Sequence, residues 1–181
     1  PEPRRTTTSF RSIFRSNSRD ALTAYILSLW IHLVAATAWI GGMIFFAAVV
    51  VPGLRDASLR PAAPAVLRVV GERYGKFGWA TLAVLLVTGC TNLWLRGIGW
   101  AQLSAPEFWS SGFGRTLFHK LFLVGLALAA AVSHHVLVRT TPGEPTLAPA
   151  ARIRASWIGR AILAFSLGVL YFAVKLSRGL P

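Results

Sequence analysis

Acidic residues are scarce in this chain: six Asp and Glu stand against nineteen Lys and Arg among 181 residues, a formal net charge of +13. None of the six lies inside a long apolar run. That argues against a proton-coupled carrier working through an intramembrane carboxylate. Cysteine occurs once, at Cys90, so no internal disulfide can form. Methionine also occurs once, which leaves a Cu(I) ion few of the soft sulfur donors it prefers. The chain has no Gly-rich phosphate loop, no dinucleotide fingerprint, no Cys-x-x-Cys pair and no Ser/His/Asp constellation. Enzymes built on those devices are excluded, and catalysis is not the leading expectation.

Apolar residues, by contrast, make up 54% of the chain and charged ones only 14%. Ordinary soluble domains hold about 45–50% and about 25% respectively. The apolar residues gather in four runs, at 25–51, 77–95, 117–138 and 158–176. Each is close to or above the ~20 residues that cross a bilayer as a helix. Gly, Pro or Arg closes every run: Pro52-Gly53, Arg96-Gly97, Arg139 with Pro142-Gly143, and Arg178-Gly179. Only helices satisfy all backbone groups within one such segment. The predicted fold is therefore an all-α integral membrane four-helix bundle over residues 21–181, with the lipid bilayer as its surroundings.

Residues 1–20 form a basic arm carrying Arg4, Arg5, Arg11, Arg15 and Arg19, either unstructured or an interfacial helix using Phe10, Ile13 and Phe14. The first run is too long for a secretory signal, and no small-residue cleavage site follows it. Lys and Arg flank the apolar runs, as expected for contact with anionic headgroups rather than nucleic acid. They divide evenly between the two sides of the bundle, so the positive-inside rule sets no orientation. Between the runs lie a short amphipathic stretch at 65–74, a loop with Trp100, Phe108 and Trp109, and a Pro-rich loop at 140–150.

Ionisable residues within a span are functional candidates by default. Here they are His32, His119, Lys120, His134, His135 and, near a span end, Lys175; Cys90 adds a soft ligand. Depth sorts them. Taking the side of the N-terminal arm as the N-side, His32 lies about 9 Å, Cys90 about 6 Å, and His119 and Lys120 about 12 Å toward it from the midpoints of their segments. His134 and His135 fall in the other leaflet, about 21 Å along the helix from Lys120. Metal candidates are thus His32, His119, His134, His135 and Cys90; cofactor candidates are His32, Lys120, His119 and Trp39. The face of the first span that carries His32 also carries Trp39 and Gly42, a wall against which a flat cofactor can lie. Thr37-x-x-x-Gly41 and Ala38-x-x-x-Gly42 permit close helix approach.

Four motifs in order resemble the copper resistance protein D (CopD) family. They are Trp30-x-His32 through Trp39-Ile40-Gly41-Gly42-Met43, then Phe77-Gly78-Trp79 with Val87-Thr88-Gly89 and Asn92. Phe113-Gly114-Arg115 with Lys120 and the His134-His135 pair, and Ala155-Ser156-Trp157-Ile158-Gly159-Arg160, complete the set. The resemblance spans roughly residues 25–181. It implies a multi-pass protein of a bacterial cytoplasmic (inner) membrane that handles copper. A looser resemblance, at His32 and Lys120 alone, is to the HemJ-type protoporphyrinogen oxidases. It implies haem b held between the first and third spans with His32 as axial ligand, and carries no enzyme assignment. A third expectation, from the basic arm and apolar surface, is a structural subunit with partners in a larger membrane complex.

Overall fold

The computed structural model describes residues 7–139 and 149–178, with side chains from 19–138 and 150–178. The interfacial role of Phe10, Ile13 and Phe14, residues 140–148 of the Pro-rich loop, and the closing Gly179 lie outside the described residues. All regular structure among the described residues is helical. Helix α1 runs Thr7–Phe45, passes through a π-helical turn at Phe46–Val50 and ends at Gly53. Helix α2 is Ala63–Leu95, α3 Trp100–Ser104, α4 Pro106–Ser110, α5 Gly112–Arg139 and α6 Pro149–Ser177. Four of these, α1, α2, α5 and α6, are long and apolar enough to cross a membrane.

The helices outrun the apolar segments. Helix α1 begins at Thr7, within the basic arm. The amphipathic stretch at 65–74 is the first part of α2, which starts with Pro64 in its opening turn. The loop predicted around Trp100 and Trp109 contains two short helices. Between α1 and α2 the exposed Asp56 carboxylate accepts from the Ser58 amide at 2.9 Å and its hydroxyl at 2.5 Å. Those bonds hold its carboxyl below the ordinary aspartate range.

At the end of α2, Gly97 adopts φ +77°, the left-handed conformation that closes a helix. Ile98 N–H donates to the Leu93 carbonyl at 3.0 Å and Gly97 N–H to Trp94 at 2.8 Å, the paired bonds of a Schellman end. The chain then turns through α3 and α4 onto the start of α5. There the backbone of Phe108 and Trp109 lies directly against Gly114.

Two antiparallel hairpins make the bundle. Helix α1 packs along α2, and α5 along α6; α1 also meets α6. Among the described residues α2 and α5 make no extended backbone contact. Side chains bridge them instead: the Trp79 indole N–H points at His135 Nδ1 at 3.4 Å, the rings edge to face.

The interior is made of small and hydroxylated residues. Ser28, Ala35, Thr81, Thr88, Thr116, Ala127, Ala155 and Ser166 are buried, together with Leu82, Leu117 and Ile162. The large apolar side chains face outward; Trp30 is 62% exposed, Val87 66% and Tyr171 63%. So much outward apolar surface is untenable in water and expected against lipid. Small interior residues permit the close helix approach that drives association there. The chain is accordingly a multi-pass membrane protein.

Trp39 braces the centre. Its Nε1–H donates to Ser166 Oγ on α6 at 3.0 Å, while its ring edge covers Gly78 on α2. One turn on, Gly42 receives the Tyr74 ring, with which Phe46 stacks at 5.8 Å. The small-residue reading therefore applies to Gly42, but not to Gly41, which is exposed and has nothing within 4 Å of its would-be Cβ. Trp39→Phe keeps the ring over Gly78 and deletes the bond to Ser166. Its expected cost is about 1 kcal/mol, the scale of interhelical hydrogen bonds in bilayers. The thermal midpoint of the detergent-solubilised protein checks it.

Candidate functional site

The site is built from three helices at the N-side level of the bundle. His32, on α1, projects across the α1–α2 seam beside Gly89, where a Cβ would sit 3.6 Å from its Cε1. Its Nδ1 lies 2.8 Å from the Thr88 hydroxyl. That hydroxyl is 2.6 Å from the Val84 carbonyl, one turn earlier, which can only accept. The single Thr88 proton therefore goes to Val84, and its oxygen accepts from His32 Nδ1–H. The Leu85 carbonyl, 3.4 Å from the same hydroxyl, is a further acceptor within reach of the ring. An imidazole protonated at Nδ1 keeps the lone pair on Nε2, the atom that a metal needs.

Lys120, on α5, is close enough to His32 to act on it electrostatically, and Arg96 acts likewise on Lys120. Two spans and the end of α2 thus converge here. Arg96 is fixed by Tyr25 on α1. Its Nε and one terminal nitrogen donate to the phenol oxygen at 2.9 and 2.6 Å, and its guanidinium lies 5.5 Å from the ring centre.

The other candidates lie elsewhere. His119 turns to α6: its Nδ1–H donates to the Arg115 carbonyl at 2.7 Å, and its ring stacks on Phe172 at 5.4 Å. Cys90, beside Gly89, is exposed on the outer face of α2. His135 is engaged by Trp79, and His134, half-buried, is its neighbour on α5. Among the described residues no three His, Cys, Asp or Glu side chains gather into a metal cage. The five metal candidates of the sequence are therefore dispersed rather than joined. Trp39, proposed as an open wall, has one edge committed to Ser166 and another to Gly78. Thr88, which the sequence offered only as part of a family-like motif, is the partner of His32 to which sequence reasoning gave no role. Its signals were that motif and its place beside Gly89 at the level of His32.

Fold and site together define an all-α membrane protein with a positioned intramembrane histidine. The chain is 30% identical over 156 residues, 84% of this chain and 95% of the relative, to an uncharacterized protein of Aquifex aeolicus (strain VF5). It belongs to the same family as that protein. No protein-family model and no solved structure matches the chain.

Proposed function

We propose that the chain is a b-type haem-binding redox protein of a bacterial cytoplasmic membrane, in which His32 would hold the iron. The observation that carries this reading is the His32–Thr88 bond, which fixes the ring and leaves Nε2 as a free donor. A ligating histidine whose other nitrogen is held by a partner is the usual arrangement at metal and haem sites. Two further features bear on such a group. Lys120 on α5 is near enough to His32 to act on its charge, and among the described residues the α2–α5 side lacks extended backbone packing. Haem, when bound, would supply one-electron transfer. The protein's own part is to orient the donor nitrogen, exclude water through the surrounding apolar helices and keep an acid away from the ring.

The copper-handling reading draws on the CopD resemblance, and a single histidine is a poor cage for copper. One measurement separates the readings: visible spectra, oxidised and reduced, with iron and copper analysis of protein purified in mild detergent. A Soret band with stoichiometric iron is the expected result. Copper without a Soret band would overturn the haem reading in favour of copper handling. Folded protein with neither metal, recovered stoichiometrically with other chains, would favour a structural subunit.

The tie between Thr88 and His32 is separately testable. Thr88→Val removes the acceptor for Nδ1–H at nearly constant volume. Haem affinity is expected to fall about 10–100-fold, as for outer partners of metal-bound histidines. Thr88→Ser is expected to restore it, with Soret titration as the readout.

A further inference from the structure

The segment that joins α2 to α5 carries little charge and much aromatic surface. Between Gly97 and Ser111, Glu107 is the one charged residue, beside Trp100, Phe108 and Trp109. One membrane-length helix ends at Leu95 and the next begins at Gly112, which sets the segment at the N-side surface of the bundle. It is tied down along its length. The Gln102 side-chain oxygen accepts from Gly99 N–H at 3.0 Å, and the backbone of α4 lies against Gly114.

This folding sorts the indoles. Trp109 turns inward: its Nε1–H donates to the Leu103 carbonyl, and its ring meets that of Phe118 edge to face at 6.3 Å. Trp100 turns outward and is 85% exposed; Trp94, in the last turn of α2, is 75% exposed. Among the described residues neither of these two indole N–H groups has a hydrogen-bond partner. The Tyr25–Arg96 pair stands at the same end of the α1–α2 seam. An indole exposed to water leaves a large apolar ring unburied, and one in hydrocarbon leaves its N–H unsatisfied. The headgroup layer answers both needs, and Trp and Tyr gather there.

We propose that α3 and α4 form a foot seated in the N-side headgroup layer, with Trp94 and Trp100 as its anchors. Lipid ester carbonyls accept from the two indole N–H groups, and the rings lie along the upper acyl chains. The foot fixes where the bilayer begins. Six residues of α2 separate Trp94 from Thr88, and seven of α1 separate Tyr25 from His32, about 9 and 10 Å of helix. His32 therefore lies about one such step beneath the headgroups, inside the hydrocarbon. The close fit of α4 on Gly114 passes the same depth on to α5. None of this depends on which group, if any, His32 holds.

The test uses the full chain labelled with fluorotryptophan in phosphatidylcholine nanodiscs and read by fluorine NMR. Trp94→Phe and Trp100→Phe each delete one resonance and so assign it; Trp39, braced at the bundle centre, is the reference for an inner ring. Three relaxation agents are compared: a lipid nitroxide at the head of the acyl chain, one at its tail, and a water-soluble gadolinium chelate. The Trp94 and Trp100 resonances are expected to broaden most with the head-of-chain nitroxide. If the chelate broadens Trp100 most, the segment stands in water, the foot is overturned and its outer face is left to a protein partner. If the tail nitroxide broadens it most, the segment is submerged in hydrocarbon and the foot is equally overturned.

Discussion

His32→Ala is expected to abolish the Soret band of the purified protein while leaving its helical circular dichroism unchanged. The half-buried ring meets Gly89 and bonds Thr88, and the four-helix bundle is expected to stay folded without it. Losing an outer partner alone costs about 10–100-fold in such sites, so losing the donor should cost more than about 100-fold. Added imidazole is expected to recover part of the band, since truncation leaves a ring-sized space beside Gly89. Recovery distinguishes a ligand from a residue that merely props the fold. An undiminished band in His32→Ala would place the donor elsewhere, and His134→Ala would be the next variant to make.

The largest expected effect on stability lies at a corner rather than in the site. A Cβ on Gly114 would fall 2.7 Å from the Phe108 carbonyl carbon and 2.9 Å from Trp109 Cα. Those are backbone atoms of α4, which no rotamer change can move. The corner is also tightly bonded: Trp109 Nε1–H donates to Leu103 at 2.8 Å, and Gly114 N–H to the Ser111 hydroxyl at 3.0 Å. Gly114→Ala must displace α4 from α5, at an expected cost of about 3 kcal/mol, the upper range of overpacking. Gly125→Ala is the control. Its added methyl meets open space on the same helix, and it is expected to be neutral or stabilising by up to about 1 kcal/mol. Thermal midpoints of the two variants, followed by loss of monodisperse protein in detergent, give the comparison.

Four membrane-length helices were legible because lipid demands continuous apolar stretches, and Gly97 marks the end of α2 in plain sight. The starts were not legible. Apolar content reports which turns meet lipid, whereas the backbone keeps its helical bonds wherever the side chains permit. Arg68 and Arg73 therefore lie within α2, and α1 begins at Thr7. The π turn at Phe46–Val50 falls in a uniformly apolar stretch where no residue type announces it.

In the candidate site, depth was readable and rotation was not. Straight helices convert residue number into height, which brought His32 and Lys120 to one level. Whether His119 or Lys120 turns inward depends on a 100° step, and helices apolar on all sides give no stripe by which to set it. Lys120 is near enough to His32 to act on its charge, and His119 lies against Phe172. Thr88 was given no role because a hydroxyl in a span usually bonds its own helix, as those of Thr37 and Thr81 do.

The pairing of neighbours in the sequence, α1 with α2 and α5 with α6, also bears on biosynthesis. Contacts between consecutive helices need little chain to be searched. The His32–Thr88 bond joins two segments that both emerge from the ribosome before α5 does. Half of the site is thus set while the chain is still growing, and Lys120 joins it seconds later at about 5–20 residues per second. A nascent chain arrested when Leu95 has cleared the ribosome and entered the bilayer would already carry an oriented imidazole, waiting there for its second wall.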